Sequence, residues 1–297
     1  MQTKIITSCY ELADIKRLIK TECDALILGS PFFSVRSSCH FNDEELAVAI
    51  KQCHDAGIEA YFLLNRFFVE KEIVALDTQL LKLKDLKIDG IYFTDMAVYE
   101  RAKQWGMEGL LIYNPDTLLT SSADIKAYLN LGIKRSVIAK EITLDEMVRI
   151  SELVPNQEII IHGRLNMMHS KRTLLSAYQQ QLGLSETLAL RDDLYLIEEK
   201  RDEHMPIFED EYGTHVFTGF SLCSFEEALI LAEAGINYWR IETLFTDIED
   251  VLKTINDYCE VLAGRAEGKK LYEAYVSANP GANYTKGFMY KKTGLSK

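Results

Sequence analysis

A chain of 297 residues, 47% hydrophobic and 26% charged, has the composition of an ordinary globular protein and enough apolar material for one large core or two small ones. Its formal net charge of −12 argues against a surface that holds nucleic acid nonspecifically, although a few cations can still make one site basic. No apolar run approaches the roughly 18 residues of a membrane span. The N-terminal stretch lacks the apolar centre of a secretory signal, and the six cysteines stand singly with no CxxC. A cytoplasmic protein with free thiols and no membrane association is therefore expected, not a zinc ribbon or a redox dithiol.

Strand and helix signals alternate along the chain. Lys4–Thr7 reads as a strand, and Glu11–Thr21 follows with Leu12, Ile15, Leu18 and Ile19 on one helical face. Ala25–Leu28 is a second strand. The long loop after it carries Arg36 and His40, and Asn42 with Glu45 then forms a capping box for the next helix. Glu59–Leu64 is a third strand, ending at Asn65-Arg66, with a helix over Lys71–Leu86. Strands over Gly90–Phe93, Leu110–Tyr113 and Arg135–Ile138 follow. Their helices are Met96–Trp105, one opened by Ser121 or Ser122, and one opened by a Thr143–Glu146 capping box. Glu158–Ile161 is a seventh strand, a β-branched run stopped by His162-Gly163. Residues 188–218 alternate apolar and polar, as small antiparallel strands do. The helical period resumes over Ser224–Ala234, and Tyr238–Ile241 is an eighth strand, with Asp247–Leu262 as its helix.

Eight short strands separated by helices predict an α/β chain folded as a (β/α)8, TIM-like barrel over 1–263. It carries a small antiparallel β insertion at 188–218, after the seventh strand. A tail over 264–297 is expected to pack on the barrel or on a partner. A doubly wound open sheet is the alternative. The chain has no GxGxxG, GxxxxGK(S/T), HExxH or GxSxG, which argues against dinucleotide, P-loop, zincin and hydrolase-elbow chemistry.

In a barrel, residues just past the strand C-termini converge on one mouth. Arg36, Asn65 and Arg164 are the candidate ligand-binding groups there, because arginine grips carboxylate or phosphate in bidentate fashion. Asp116 and Lys140 reach the same end. His162 is the candidate for proton transfer, with Glu141 and Glu242 as candidate catalytic carboxylates. An internal ion-pair layer would use the same residue types, and a structural histidine would occupy position 162 equally well. Ser170, Lys171 and Arg172 add a basic run on the loop expected after Gly163. His162 and His169 lack metal-ligand spacing and a completing acid or thiol, so no metal site is expected. Cys9 and Cys39 read as small buried side chains before they read as nucleophiles.

Several of these motifs resemble the collagenase-like peptidase family U32 across about 4–290. Arg36 with the following Ser-Ser-Cys-His-Phe-Asn is similar to that family's arginine loop. Ala139-Lys140-Glu141-Ile142-Thr143-Leu144 is similar to its Ala-Arg-Glu motif, His162-Gly163 to the start of its signature, and Ile241-Glu242 to its Ile-Glu-Gly-Arg motif. Two departures stand out. Asn166 and Thr173 occupy the places of signature cysteines, and Thr243-Leu244-Phe245 replaces Gly-Arg-Met. The runs Met168–Leu174 and Pro206–His215 resemble the short, cysteine-poor subgroup that accompanies a longer, cysteine-bearing relative. That resemblance implies a subunit for prephenate-dependent formation of 5-hydroxyuridine at the tRNA wobble position. It implies no iron–sulfur cluster on this chain, such a cluster belonging only to the partner. The implied partners are the longer relative and tRNA, in a hetero- or homodimer, with Lys171 and Arg172 against RNA phosphate or the anionic hydroxylation factor and Arg36 and Arg164 assisting. The family label keeps a collagenase-like peptidase open as an alternative, as the mouth does a barrel enzyme for a small anionic ligand.

Overall fold

Short hydrophobic runs bounded by glycine, asparagine and aspartate pair in parallel with their neighbours, because each is apolar on both faces and must be covered on both. A computed structural model describes residues 3–189, 191, 193–197, 199 and 203–291. In it β1 (Lys4–Ser8), β2 (Ala25–Leu28), β3 (Glu59–Leu64), β4 (Gly90–Phe93), β5 (Leu111–Tyr113) and β6 (Arg135–Ser136) form consecutive parallel pairs. The other edge of β1 pairs with Tyr238–Ile241, and that strand pairs in parallel with the start of β7 (Glu158–Ser170). Val137 bridges Glu158, and the Ile138 amide donates to the Glu158 carbonyl at 2.8 Å, so the curled sheet returns on itself beside β6. The fold is mixed α/β with a barrel-like curled sheet.

Alternate strand residues build two cores. Ile6, Ile27, Tyr61, Tyr92 and Val137 fill the inside of the curl. Ile5, Leu26, Phe62, Ile91 and Phe93 face outward and pack against helices α1 (Leu12–Leu18), α2 (Asp43–Asp55), α3 (Ile73–Asp85) and α4 (Met96–Gln104). Helices α5 (Ser122–Leu129) and α6 (Leu144–Leu153) continue the outer layer. Both capping boxes form. Asn42 accepts from the amides of Glu44 and Glu45 while Glu45 accepts from the Asn42 amide, and Thr143 and Glu146 repeat the exchange. Such a cap contributes about 1 kcal/mol.

The seventh strand departs from expectation. It does not stop at Ile161 but continues to Ser170, 13 residues in all. Gly163 makes this passage possible. Its φ is +101°, and a Cβ there would lie 2.6 Å from the Glu242 carbonyl oxygen. Beyond it, β7 leaves the barrel wall. After α7 (Leu174–Leu182) come β8 (Tyr195–Ile197), β9 (His204–Asp210) and β10 (Gly213–Cys223), and β7 pairs antiparallel with β10. β9 pairs with β10 and β8 with β9, so the antiparallel unit begins at His162, well before residue 188. The segment expected as a loop is thus a strand, because a ladder partner some fifty positions away supplies its hydrogen bonds. Buried Glu209 fastens α7 by accepting from the Leu175 amide at 2.8 Å.

The chain then forms α8 (Ala228–Glu233), β11 (Tyr238–Ile241), α9 (Ile248–Leu262), α10 (Gly268–Ala278) and β12 (Tyr284–Thr285). β12 pairs with β10, the Leu144 amide donates to the Met289 carbonyl at 3.0 Å, and the Tyr290 hydroxyl donates to Glu227 at 2.9 Å. Among the described residues no helix is long and apolar enough to cross a membrane.

Candidate functional site

Charged residues inside a parallel strand must find partners or remain outside the core. Glu158 and Arg240 start from that constraint. Glu158 is fully buried, takes Arg135 Nε at 2.9 Å and the Tyr92 hydroxyl at 2.8 Å, and lies 3.5 Å from Arg240 Nη1. Arg240 continues to Glu242, Nε to Oε1 at 2.9 Å. Burial alone would drain charge from Arg240. The carboxylates of Glu242 and Glu158 outweigh it and hold the guanidinium charged. At the other end Glu59 binds Lys4 at 2.8 Å and accepts from the Tyr61 hydroxyl. Acid and base therefore alternate along the inside of the barrel, from floor to mouth.

At the mouth the ladder opens into a cavity of about 50 Å3, room for a few water molecules or one small anion. Four cations line it (Arg36, Lys140, Arg164 and Arg240) against two carboxylates (Asp116 and Glu242), an excess of two positive charges. Arg36 is paired with Asp116. Burial pushes the Asp116 carboxyl up, but Arg36, Lys140 and Arg240 together hold it below the usual carboxylate range. Lys140 is held below the ordinary lysine range by burial, against the pull of Asp116, Glu141 and Glu242. It has no ion-pair partner among the described residues. Arg164 donates to the Thr218 carbonyl at 2.7 Å. Between these groups Ser8, Ser38 and Thr243 form a triangle of hydroxyls with sides of 2.7, 3.0 and 2.9 Å. Asn166 Oδ1 faces the same region, buried and without a partner among the described residues.

The mouth loops are strained. Phe32, Arg36, Asp116, Leu118 and Phe245, all in loops after strand C-termini, hold φ between 54° and 71°. Non-glycine residues hold such angles only where the surroundings over-determine them, and such strain collects at functional sites.

The structure brings Arg36, Asn65, Arg164 and Glu242 together at this mouth. Asn65 is a brace, accepting from the Val35 amide and donating to the Val35 carbonyl, both at 2.9 Å, which fixes the turn that aims Arg36. His162 lies elsewhere. The β7–β11 register pairs Arg240 with Ile160 but Ile241 with His162, so Ile161 is an extra residue and the bulge turns His162 to the outer face. Its ring is enclosed by Phe225, Tyr258, Tyr275 and Tyr284 at 5.4–5.9 Å. Burial, with Lys253 adding, lowers its pKa to about 3, so the ring is neutral, and its Nδ1 has no partner among the described residues. Glu141 is not a wall of the mouth, and its Oε2 is buried without a partner among the described residues. Ser170, Lys171 and Arg172 lie at the far end of β7. Lys171 Nζ donates to the Phe67 carbonyl at 3.2 Å, and Ser170 Oγ accepts from the Arg172 amide. Sequence reasoning missed Arg240, Ser8, Ser38 and Asn166 as mouth residues. An arginine inside an otherwise apolar strand was the available signal for the first.

Known proteins agree with this architecture. The description "Peptidase family U32" belongs to a family model that matches residues 10–297. The chain is 29% identical over 275 residues to tRNA hydroxylation protein P2 of Bacillus subtilis (strain 168), covering 91% of this chain and 89% of that protein. It is 23% identical over 339 residues to tRNA hydroxylation protein P of Escherichia coli (strain K12), covering 98% of this chain and 75% of that one. The solved U32 peptidase Mk0906 superposes with a TM-score of 0.52 at 13% identity, over 82% of this chain and 93% of that one, which is a likeness of fold. With nearly its whole length matched, the chain belongs to peptidase family U32.

Proposed function

We propose that this chain is a subunit for hydroxylation of the tRNA wobble uridine, and that its mouth holds the carboxylates of the small anion, prephenate, on which that reaction depends. The curled ring is read as a (β/α)8 barrel. The observation that carries this is the excess of two positive charges over a cavity of anion size, lined by three hydroxyls and closed over by β7 and β10. Arg36, Lys140, Arg164 and Arg240 hold the anion, Glu242 orients Arg240, and Asn65 fixes the arginine loop. Lys171 and Arg172 meet RNA phosphate at the rim. The names of the relatives support the same reading.

Some members of the family carry an iron–sulfur cluster, whose irons require converging thiolates. The residues of this chain do not fit one. Asn166 and Thr173 stand where signature cysteines would fall, and no three His, Cys, Asp or Glu among the described residues are grouped to hold a metal. The cluster is assigned to a longer, cysteine-bearing partner. Hydrolysis is not proposed, because the mouth hydroxyls bond to one another and His162, the candidate base, is turned away.

Nucleoside mass spectrometry of tRNA from a strain lacking this gene tests the reading. Loss of hydroxylated wobble uridine, restored by the wild-type gene, is expected. An unchanged nucleoside profile in the deletion would overturn it.

A further inference from the structure

Beside the mouth, next along the chain from Arg36, Val35 forms part of a second cavity, of about 100 Å3. Two of its walls are aromatic rings, Phe67 after β3 and His169 on β7. These rings lie within 8° of parallel, with centroids 6.4 Å apart. A flat ring in contact with both would need about 7 Å, twice the ~3.5 Å contact distance between carbons. The His169 wall is fixed, and the exposed Phe67 ring is the wall that swings outward by the missing fraction of an ångström when a base enters. His169 stacks on buried His215 at 4.7 Å, and His215 on Phe208 at 4.9 Å. On the Phe67 side, the Arg66 guanidinium sits between the rings of Phe32 (3.9 Å) and Tyr212 (4.8 Å).

The chemistry of the slot follows from one hydrogen-bond chain. Asp210 Oδ1 lies 3.3 Å from His215 Nε2, and His215 Nδ1 lies 3.1 Å from His169 Nδ1. Asp210 accepts a hydrogen bond from His215 Nε2. His215 Nδ1 and His169 Nδ1 share one proton between them. Burial, with Arg36 and His215 adding, lowers the His169 pKa to about 4, so at neutral pH it offers a neutral aromatic face. Lys171 stands at the same cavity as a cation, and Glu211 as an acceptor.

We propose that this slot takes one unstacked nucleobase of a single-stranded RNA segment. The base stacks between Phe67 and His169, an N–H of its edge donates to the Glu211 carboxylate at the cavity wall, and Lys171 meets the adjoining phosphate. The assignment rests on the tRNA reading above and adds where the base sits, one loop away from the anion site.

The test uses the full chain and an RNA hairpin whose single-stranded loop carries 4-thiouridine. Binding is followed by fluorescence anisotropy for wild type, Phe67→Leu and Phe67→Tyr, and the irradiated complex is mapped by mass spectrometry. Phe67 is 40% exposed, so its replacement leaves the core untouched, which thermal melting verifies. Phe67→Leu is expected to weaken hairpin binding about tenfold. Phe67→Tyr is expected to retain it, and the cross-link to fall on Phe67 or His169. Unchanged binding by Phe67→Leu, or a cross-link elsewhere, overturns the slot and leaves the tRNA reading standing. Free uridine monophosphate bound as tightly as the hairpin, through the same residues, overturns the RNA assignment in favour of a free nucleotide. Failure of the wild-type chain to bind the hairpin overturns the slot, while the tRNA reading is judged separately by the nucleoside profile.

Discussion

The two halves of β7 share a strand but not an environment. From Glu158 to His162 the strand is barrel wall, with one carboxylate in the inner ladder and one imidazole in an outer aromatic box. From Arg164 to Ser170 it pairs with β10, places Arg164 and Asn166 in the mouth and carries His169 to the rim slot. Gly163 separates the halves. Its left-handed backbone and its closeness to Glu242 let one strand change sheets without breaking. The first half is held by buried charge and packing. The second is held by ladder bonds over an open mouth and is free to carry the chemistry.

That contrast can be broken most severely at Glu158. Glu158→Leu leaves Arg135 and Arg240 buried without their shared carboxylate and should destabilise the fold by about 3–5 kcal/mol, read from urea unfolding. A loss below about 1 kcal/mol would mean that the ladder is not what holds the wall. Gly163→Ala comes next, at about 3 kcal/mol, because a left-handed residue and a collision with the Glu242 carbonyl coincide. Gly183→Ala is its control. With φ +64° and no atom near the added Cβ, it should lose only about 1 kcal/mol.

Acid sharpens the comparison further. An ordinary imidazole titrates near 6.5, and burial holds His162 down to about 3. Between those values the unfolded chain binds a proton that the folded one refuses. Stability is therefore intact above pH 6.5 and falls by up to ~1.4 kcal/mol per pH unit on the way down to 3. His169, held at about 4, adds its own loss between 6.5 and 4. His162→Phe should reduce this slope between pH 6.5 and 4, where His169 still contributes, and remove the histidine part of it between 4 and 3, in urea titrations run across that range; an unaltered slope would show that the ring is already accessible to protons. The smallest stability effect belongs to the exposed rim. Replacing Lys171 and Arg172 together by alanine should change stability by less than about 0.5 kcal/mol, yet weaken tRNA binding and flatten its salt dependence.

Local sequence was a good guide wherever local forces decide. The strands Ala25–Leu28, Glu59–Leu64, Gly90–Phe93 and Tyr238–Ile241 appear with the boundaries read from their hydrophobic runs, and both capping boxes form. Arg36, Asn65, Arg164 and Glu242 were legible as mouth residues because they follow strand ends. His162 was misplaced because its side of the strand is set by a register shift against β11, some eighty positions on. The continuation of β7 was missed for the same reason, its partner being Thr214–Cys223. Glu158 and Arg240, two charges in strands covered on both faces, carried a signal that pairing them would have used. The slot at Phe67 and His169 joins residues a hundred positions apart and has no local signature.

The account stands most directly on Lys140, a half-buried lysine at the mouth with no ion-pair partner among the described residues. A strain whose only copy of the gene carries Lys140→Met, a change that removes the charge and keeps the length of the side chain, should be examined for hydroxylated wobble uridine in its tRNA, with the purified variant's melting temperature measured alongside. The account predicts a folded protein and a tRNA pool that has lost most of that nucleoside. A folded variant with a wild-type nucleoside profile would contradict it.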